Sequence, residues 1–189
     1  TTFNASIPWN LVAGDGPKTV YVKYRDNAGN ESISYQDTID LDGTPPSATV
    51  VIDSDATYTP DVNVDLAITS DDGSGSGPDE MMIDTDSDFS GATWVAFNTS
   101  SAATLVTADG VQTLYVKVRD VAGNESLSAS DSITLDSTAP TGSVLVDANA
   151  TYAISSAVTL TLDASDANIV ASVLVSNASD FSGATWEDY

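Results

Sequence analysis

The stretch "YVKYRDNAGNES" at residues 21–32 returns as "YVKVRDVAGNES" at residues 115–126, 94 positions later. In both copies an alternating apolar and polar run leads into a turn rich in Asp, Asn and Gly, the pattern of a half-buried strand followed by a tight reversal. The alternation predicts Leu114, Val116 and Val118 in a core, with Tyr115, Lys117 and Arg119 on the outer face. Tyr21, Lys23 and Arg25 hold the same outer positions in the first copy. Four of the five Lys and Arg residues therefore share this face, and cross-strand pairing with Asp84, Asp86 or Asp131 is the expected use of them. At the turn, Gly29 and Gly123 supply positive φ, and Asp26 and Asp120 offer carboxylates to the loop N–H groups.

The same offset lays "DTIDLDGTPP" (37–46) on "DSITLDSTAP" (131–140) and "VVIDSDATYT" (50–59) on "VLVDANATYA" (144–153). "DFSGATW" (88–94) recurs at 180–186, so two residues are lost between the copies, a loss expected in the loop around "DDGSGSGPDE". Pro46 and Pro140 read as inter-unit linkers, since proline blocks helix continuation and stiffens an extended connection. The expected organisation is the C-terminal half of one repeat over residues 1–43, a complete repeat over 44–137, and the N-terminal half of another over 138–189. A chain of this kind is either a window on a longer array or a subunit whose front half completes a sandwich with the back half of the next.

Within the complete repeat, "VNVDLAIT" (62–69) puts Val62, Val64, Leu66 and Ile68 on one face, as a half-buried strand requires. "TVVID" (49–53), "MMID" (81–84), "WVAF" (94–97), "TLV" (104–106), "TLYVKVR" (113–119) and "SITLD" (132–136) are the other predicted strands. No segment sustains a helical period. About seven short strands separated by Gly-, Asp- and Ser-rich turns predict an all-β chain of antiparallel Greek-key sandwiches.

The chain has 189 residues, 41% of them hydrophobic, enough for ordinary cores. Five Lys and Arg against 28 Asp and Glu give a formal charge of −23, which repels phosphate backbones and anionic lipids; no nucleic-acid partner is expected. With neither Cys nor His, disulfides, thiolate or imidazole metal sites and imidazole acid–base catalysis are excluded. Adjacent carboxylates such as Asp71 and Asp72 lack the facing geometry of glycoside hydrolysis, so no enzyme is expected. No apolar run reaches the ~18–20 residues that span a bilayer, and no signal peptide opens the chain. Any export signal or anchor is expected outside this segment.

The motifs "DGxxTxYVKxRDxAGNES" and "SNxSDFSGATW", with the Pro-containing linkers, resemble the bacterial immunoglobulin-like (Big-type) repeats found in tandem in large surface proteins, adhesins and S-layer-associated proteins. The resemblance covers essentially the whole chain. It implies an extracellular or cell-surface immunoglobulin-like sandwich serving as a spacer or a binding module, sometimes with calcium at domain junctions. Two departures stand out: Trp9 is replaced by Ala103, and "SN" (176–177) by "DT" (84–85).

A sandwich places the "DVAGN" turn beside the "SDDGSGSGPDE" loop and the incoming linker. Asp42, Asp71, Asp72, Asn124 and Glu125 are then candidates to converge at the first junction, with the hard oxygen ligands that Ca2+ prefers. Asp136, Asp163 and Asp166 are the corresponding candidates at the second. N-x-S/T tripeptides make Asn4, Asn30, Asn98, Asn124, Asn149 and Asn177 glycan acceptor candidates in an exported protein. Trp94 and Trp186 are read as core or edge-packing residues, with an aromatic platform for sugar rings as the alternative. The expected role is a structural stalk or filament whose partners are neighbouring repeats or identical subunits. The alternative is an adhesin or carbohydrate-binding module.

Overall fold

The computed structural model describes residues 6–189. The chain forms strands β1 (Gly16–Val22), β2 (Tyr35–Leu41), β3 (Thr49–Ile52), β4 (Tyr58–Thr59), β5 (Asn63–Thr69), β6 (Pro78–Asp84) and β7 (Val95–Ala96). It continues with β8 (Ser100–Thr104), β9 (Gly110–Asp120), β10 (Ala129–Leu135), β11 (Thr141–Val146), β12 (Leu160–Ser165), β13 (Ser172–Leu174) and β14 (Trp186–Asp188). No helix among the described residues is long and apolar enough to cross a membrane.

Strands β3 to β10 make one complete sandwich. One sheet has the order β3-β5-β8 and the other β4-β10-β9-β6-β7. The chain alternates between the sheets from β3 to β6, stays in one sheet for the β6–β7 and β9–β10 pairs, and pairs the two-residue β4 in parallel with β10, the crossing connectivity of a Greek-key, immunoglobulin-like sandwich. Alternation fills the interior: Val64, Leu66 and Ile68 from β5 meet Leu114, Val116 and Val118 from β9, with Ile52, Met81, Ile133 and Leu135. Each side chain of this kind contributes ~1.5–3 kcal/mol on burial. Asp131 bridges the sheets, its Oδ2 accepting the Ile52 N–H at 2.8 Å.

The seven predicted strands are present, one of them displaced. In place of "TLV" the strand is "SSAAT" (β8), and Leu105 follows it as a buried plug whose N–H donates to the Val62 carbonyl at 2.7 Å. Ala and Ser carry little hydrophobic signal, so the periodicity marked the plug and missed the strand. The outer-face pairing also differs from expectation. Arg119 pairs with Glu80 and Lys117 with Glu125, while Asp84 accepts the N–H groups of Thr85 and Asp86, and Asp131 accepts those of Ser132 and Ile52. The register shift between Pro78 and Glu80 brings Glu80 opposite Arg119.

Outside the sandwich, β1 and β2 form an antiparallel hairpin, as do β11 with β12 and β13 with β14. These are the strands that the repeat places in half-units. Asp53, Ser54 and Asp55 all take left-handed conformations after β3, and Asp147, Ala148 and Asn149 do the same after β11, 94 residues later. In both turns the first Asp Oδ1 accepts a backbone N–H from the residue 12 positions on: Asp65 at 2.8 Å and Thr159 at 2.7 Å.

Candidate metal centre

Strand β9 runs from Gly110 to Asp120, so its two ends lie ~33 Å apart and carry the two junctions. At the first, Asp42 follows directly on β2, and its position is set by the linker. Asp15 accepts hydrogen bonds from the Gly43 N–H at 2.9 Å and from the Thr44 hydroxyl, which folds the linker back onto its own repeat. Asp42 then reaches across, its Oδ2 accepting the Ser76 N–H of the following sandwich at 2.6 Å. The Ser76 hydroxyl and N–H hold the Asp42 carboxyl below the ordinary aspartate value, keeping it ionised.

The loop between β5 and β6 supplies Asp72, and the end of β9 supplies Asp120. One carboxylate oxygen from each of Asp42, Asp72 and Asp120 lies within 4.8 Å of the other two. Asp120 is 2% exposed and Asp72 9%. Asp120 accepts the Asn124 N–H and Nδ2–H, both at 2.8 Å, and the same Asn124 Nδ2 donates to the Asp42 backbone carbonyl at 3.2 Å. Asp72 Oδ2 accepts the Gly77 N–H at 2.7 Å, but its Oδ1 is buried with no hydrogen-bond partner. A Cβ at Gly75 would fall 2.3 Å from Asp72 Oδ2, so only glycine lets the loop wrap this carboxylate so closely.

The electrostatics are one-sided. None of the ion pairs among the described residues involves these three groups; Lys117 and Arg119 are paired with Glu125 and Glu80. Two like charges 4.8 Å apart repel by ~3 kcal/mol at an effective dielectric of about 20. A buried carboxylate oxygen without a partner adds a desolvation cost of ~1–3 kcal/mol. Three convergent hard oxygens and an orphaned buried lone pair fit a divalent cation of the calcium type.

Of the first-junction candidates, Asp42 and Asp72 converge, and Asn124 stands beside them as the residue that orients Asp42 and Asp120. Asp71 and Glu125 do not join. Asp71 Oδ1 accepts the Gly73 N–H and its carbonyl accepts from Ser47, while Glu125 faces Lys117 on the outer surface at 3.5 Å. Asp120 was legible only as a turn residue, because its loop-capping role explains it fully until the third dimension brings the linker alongside.

At the second junction, Asp136 and Asp166 are the 94-residue counterparts of Asp42 and Asp72. Asn168 joins them, its Nδ2 donating to Asp136 Oδ2 at 2.7 Å and its N–H to Asp166 Oδ1 at 2.9 Å. Asp163 does not contribute, since it sits within β12 opposite Ser143 and is exposed. Asp109 repeats the linker clamp of Asp15, accepting from the Ser137 N–H at 2.9 Å and the Thr138 hydroxyl at 2.6 Å.

Among the acceptor asparagines, Asn98, Asn149 and Asn177 are exposed, whereas the Asn30 and Asn124 amides are committed to Asp26 and to Asp42 and Asp120. Asn4 lies outside the described residues. Trp94 is covered by the Arg119 guanidinium, 4.6 Å from its ring centroid, and Lys117 caps the buried Phe89 at 5.5 Å.

No protein-family model matches the chain, and no curated protein matches it. Among solved structures it is similar to one described as "Crystal structure of tetra-tandem repeat in extending region of large adhesion protein", with 28% identity and a TM-score of 0.35. The match covers 70% of this chain and 35% of that one, so the chain spans about a third of its length.

Proposed function

We propose that this chain is a structural segment of an exported surface protein, a stalk or filament of immunoglobulin-like repeats in which Ca2+ at the repeat junctions fixes each sandwich against the next. The observation that carries this reading is the junction of Asp42 from one repeat with Asp72 and Asp120 of the following one, where a buried carboxylate oxygen has no partner. A bound divalent cation would offset two of the three negative charges, and because one ligand comes from the preceding unit it would also lock the inter-repeat angle. Asp42, Asp72 and Asp120 would hold it; Asn124 and Ser76 would orient them. The sugar-platform alternative loses Trp94, whose face is occupied by Arg119, and rests on Trp186 alone, which is 69% exposed.

The test is thermal unfolding of the chain in calcium and in chelator. Calcium at a hundredfold its Kd stabilises the native state by about 2.7 kcal/mol, a rise on the order of 10–20 °C for a sandwich of this size. Asp72→Asn, which keeps the shape and removes the charge, is expected to abolish most of that rise and to melt no lower than the wild type in chelator. Equal melting of the wild type in both conditions overturns the calcium junction and leaves the acids as solvated surface.

A further inference from the structure

The chain enters the complete sandwich at one pole and leaves it at the other. The Ser47 N–H donates to the Asp71 carbonyl at 2.8 Å, and the Ser70 hydroxyl donates to the Ser47 carbonyl at 2.8 Å. These bonds start β3 beside the loop that carries Asp72, at the Asp120 end of β9. At the far pole, Leu135 closes β10 opposite Gly110, the first residue of β9. The entry strand and the exit strand therefore run in the same direction.

Three ties fasten the first strands to the last. Tyr58 and Thr59 of β4 lie parallel to Thr134 and Leu135 of β10. There the Thr134 N–H donates to the Thr57 carbonyl at 3.1 Å, and the Asp136 N–H to the Thr59 carbonyl at 2.9 Å. The third tie runs from β10 to β3, where Asp131 accepts the Ile52 N–H at 2.8 Å. Water is largely excluded around them: Thr59 is 5% exposed, and Ile52, Ile133 and Leu135 are 1%, 2% and 0% exposed.

Tension along the chain would draw β3 and β4 toward one pole and β10 toward the other, so that they slide lengthwise past each other. Hydrogen bonds between strands cross the strand direction, and sliding strains them together. In a strand pair pulled apart from one end, by contrast, they break one after another. Apolar side chains packed over the ties also keep water from taking the place of a strained bond. We propose that the β4–β10 patch and the Asp131 tie form a mechanical clamp, which makes the sandwich resist stretching along the chain more than it resists pulling in other directions. The proposal deepens the stalk reading above and rests on it for the source of the tension. The clamp itself needs no cation, since none of its groups belongs to the Asp42, Asp72 and Asp120 set.

Single-molecule stretching of the full chain in chelator tests the clamp apart from any calcium response, which melting reads separately. The chain has no cysteine, so pulling handles can be placed on exposed residues. Pro45→Cys with Ala139→Cys pulls from pole to pole. Val111→Cys with Ala139→Cys peels β10 from β9 starting at the pole they share, because Val111 lies opposite Thr134. Pole-to-pole unfolding of the sandwich is expected to need several-fold more force than peeling at the same pulling speed, and equal forces in the two directions overturn the proposal. Asp131→Ala removes one of three jointly strained hydrogen bonds and is expected to lower the pole-to-pole force by roughly a third while leaving the peeling force unchanged. Asp131→Asn, which keeps an acceptor oxygen, is expected to retain the full force. A fall of the same proportion in both directions on Asp131→Ala would make Asp131 a contributor to general stability and remove it from the clamp.

Discussion

Ser54 sits at φ 58° between two left-handed aspartates, exposed to solvent. Left-handed backbone costs a residue with a Cβ ~1–2 kcal/mol, and glycine escapes most of it. Part of that gain is lost to the larger unfolded-state entropy of glycine. Ser54→Gly is therefore expected to stabilise the sandwich by ~0.5 kcal/mol, whereas the β-branched Ser54→Val is expected to destabilise it by ~1–2 kcal/mol. Urea unfolding of both variants checks the sign, and a more stable valine variant would refute the strained turn. The sequence showed "DSDATYTPD" as a turn but not its handedness. That follows from the Asp53 carboxylate reaching Asp65 twelve residues on, a contact outside local propensity. The same limit applied to Asp120, whose local job concealed its place among three carboxylates.

At the scale of elements, period-two alternation located the strands wherever large apolar residues carried it, as in β5 and β9. It missed β4, whose two residues exist through a parallel pairing with β10, and it displaced β8, where alanines do the packing. The linkers were read through their prolines, yet what fixes them is an aspartate clamp. Hydrogen bonds from the Thr138 hydroxyl and from Ser137 hold the Asp109 carboxyl below the ordinary aspartate value of 3.8. A carboxyl depressed in the folded state adds stability that is complete above pH 3.8 and is lost as pH falls through the lowered folded value. The Ser137 amide resonance should accordingly shift with a midpoint below 3.8, and Asp109→Asn should remove that titration. A midpoint at or above 3.8 would show that the clamp does not form in solution.

Over the whole molecule, stability is expected to divide as the sheets do. The intact sandwich buries both faces of its core, with β9 covered on each edge, whereas the β1–β2 and β11–β12 hairpins leave the equivalent side chains in water. Two-stranded hairpins are marginal on their own, and local opening governs their amide exchange. In dilute solution, amides of Val116 and Val118 should therefore exchange orders of magnitude more slowly than those of Val20 and Val22, although the two segments are nearly the same sequence. Protection of β1 equal to that of β9 would overturn this division, because it would mean that the β1–β2 hairpin is as stable as the sandwich whose core buries both faces.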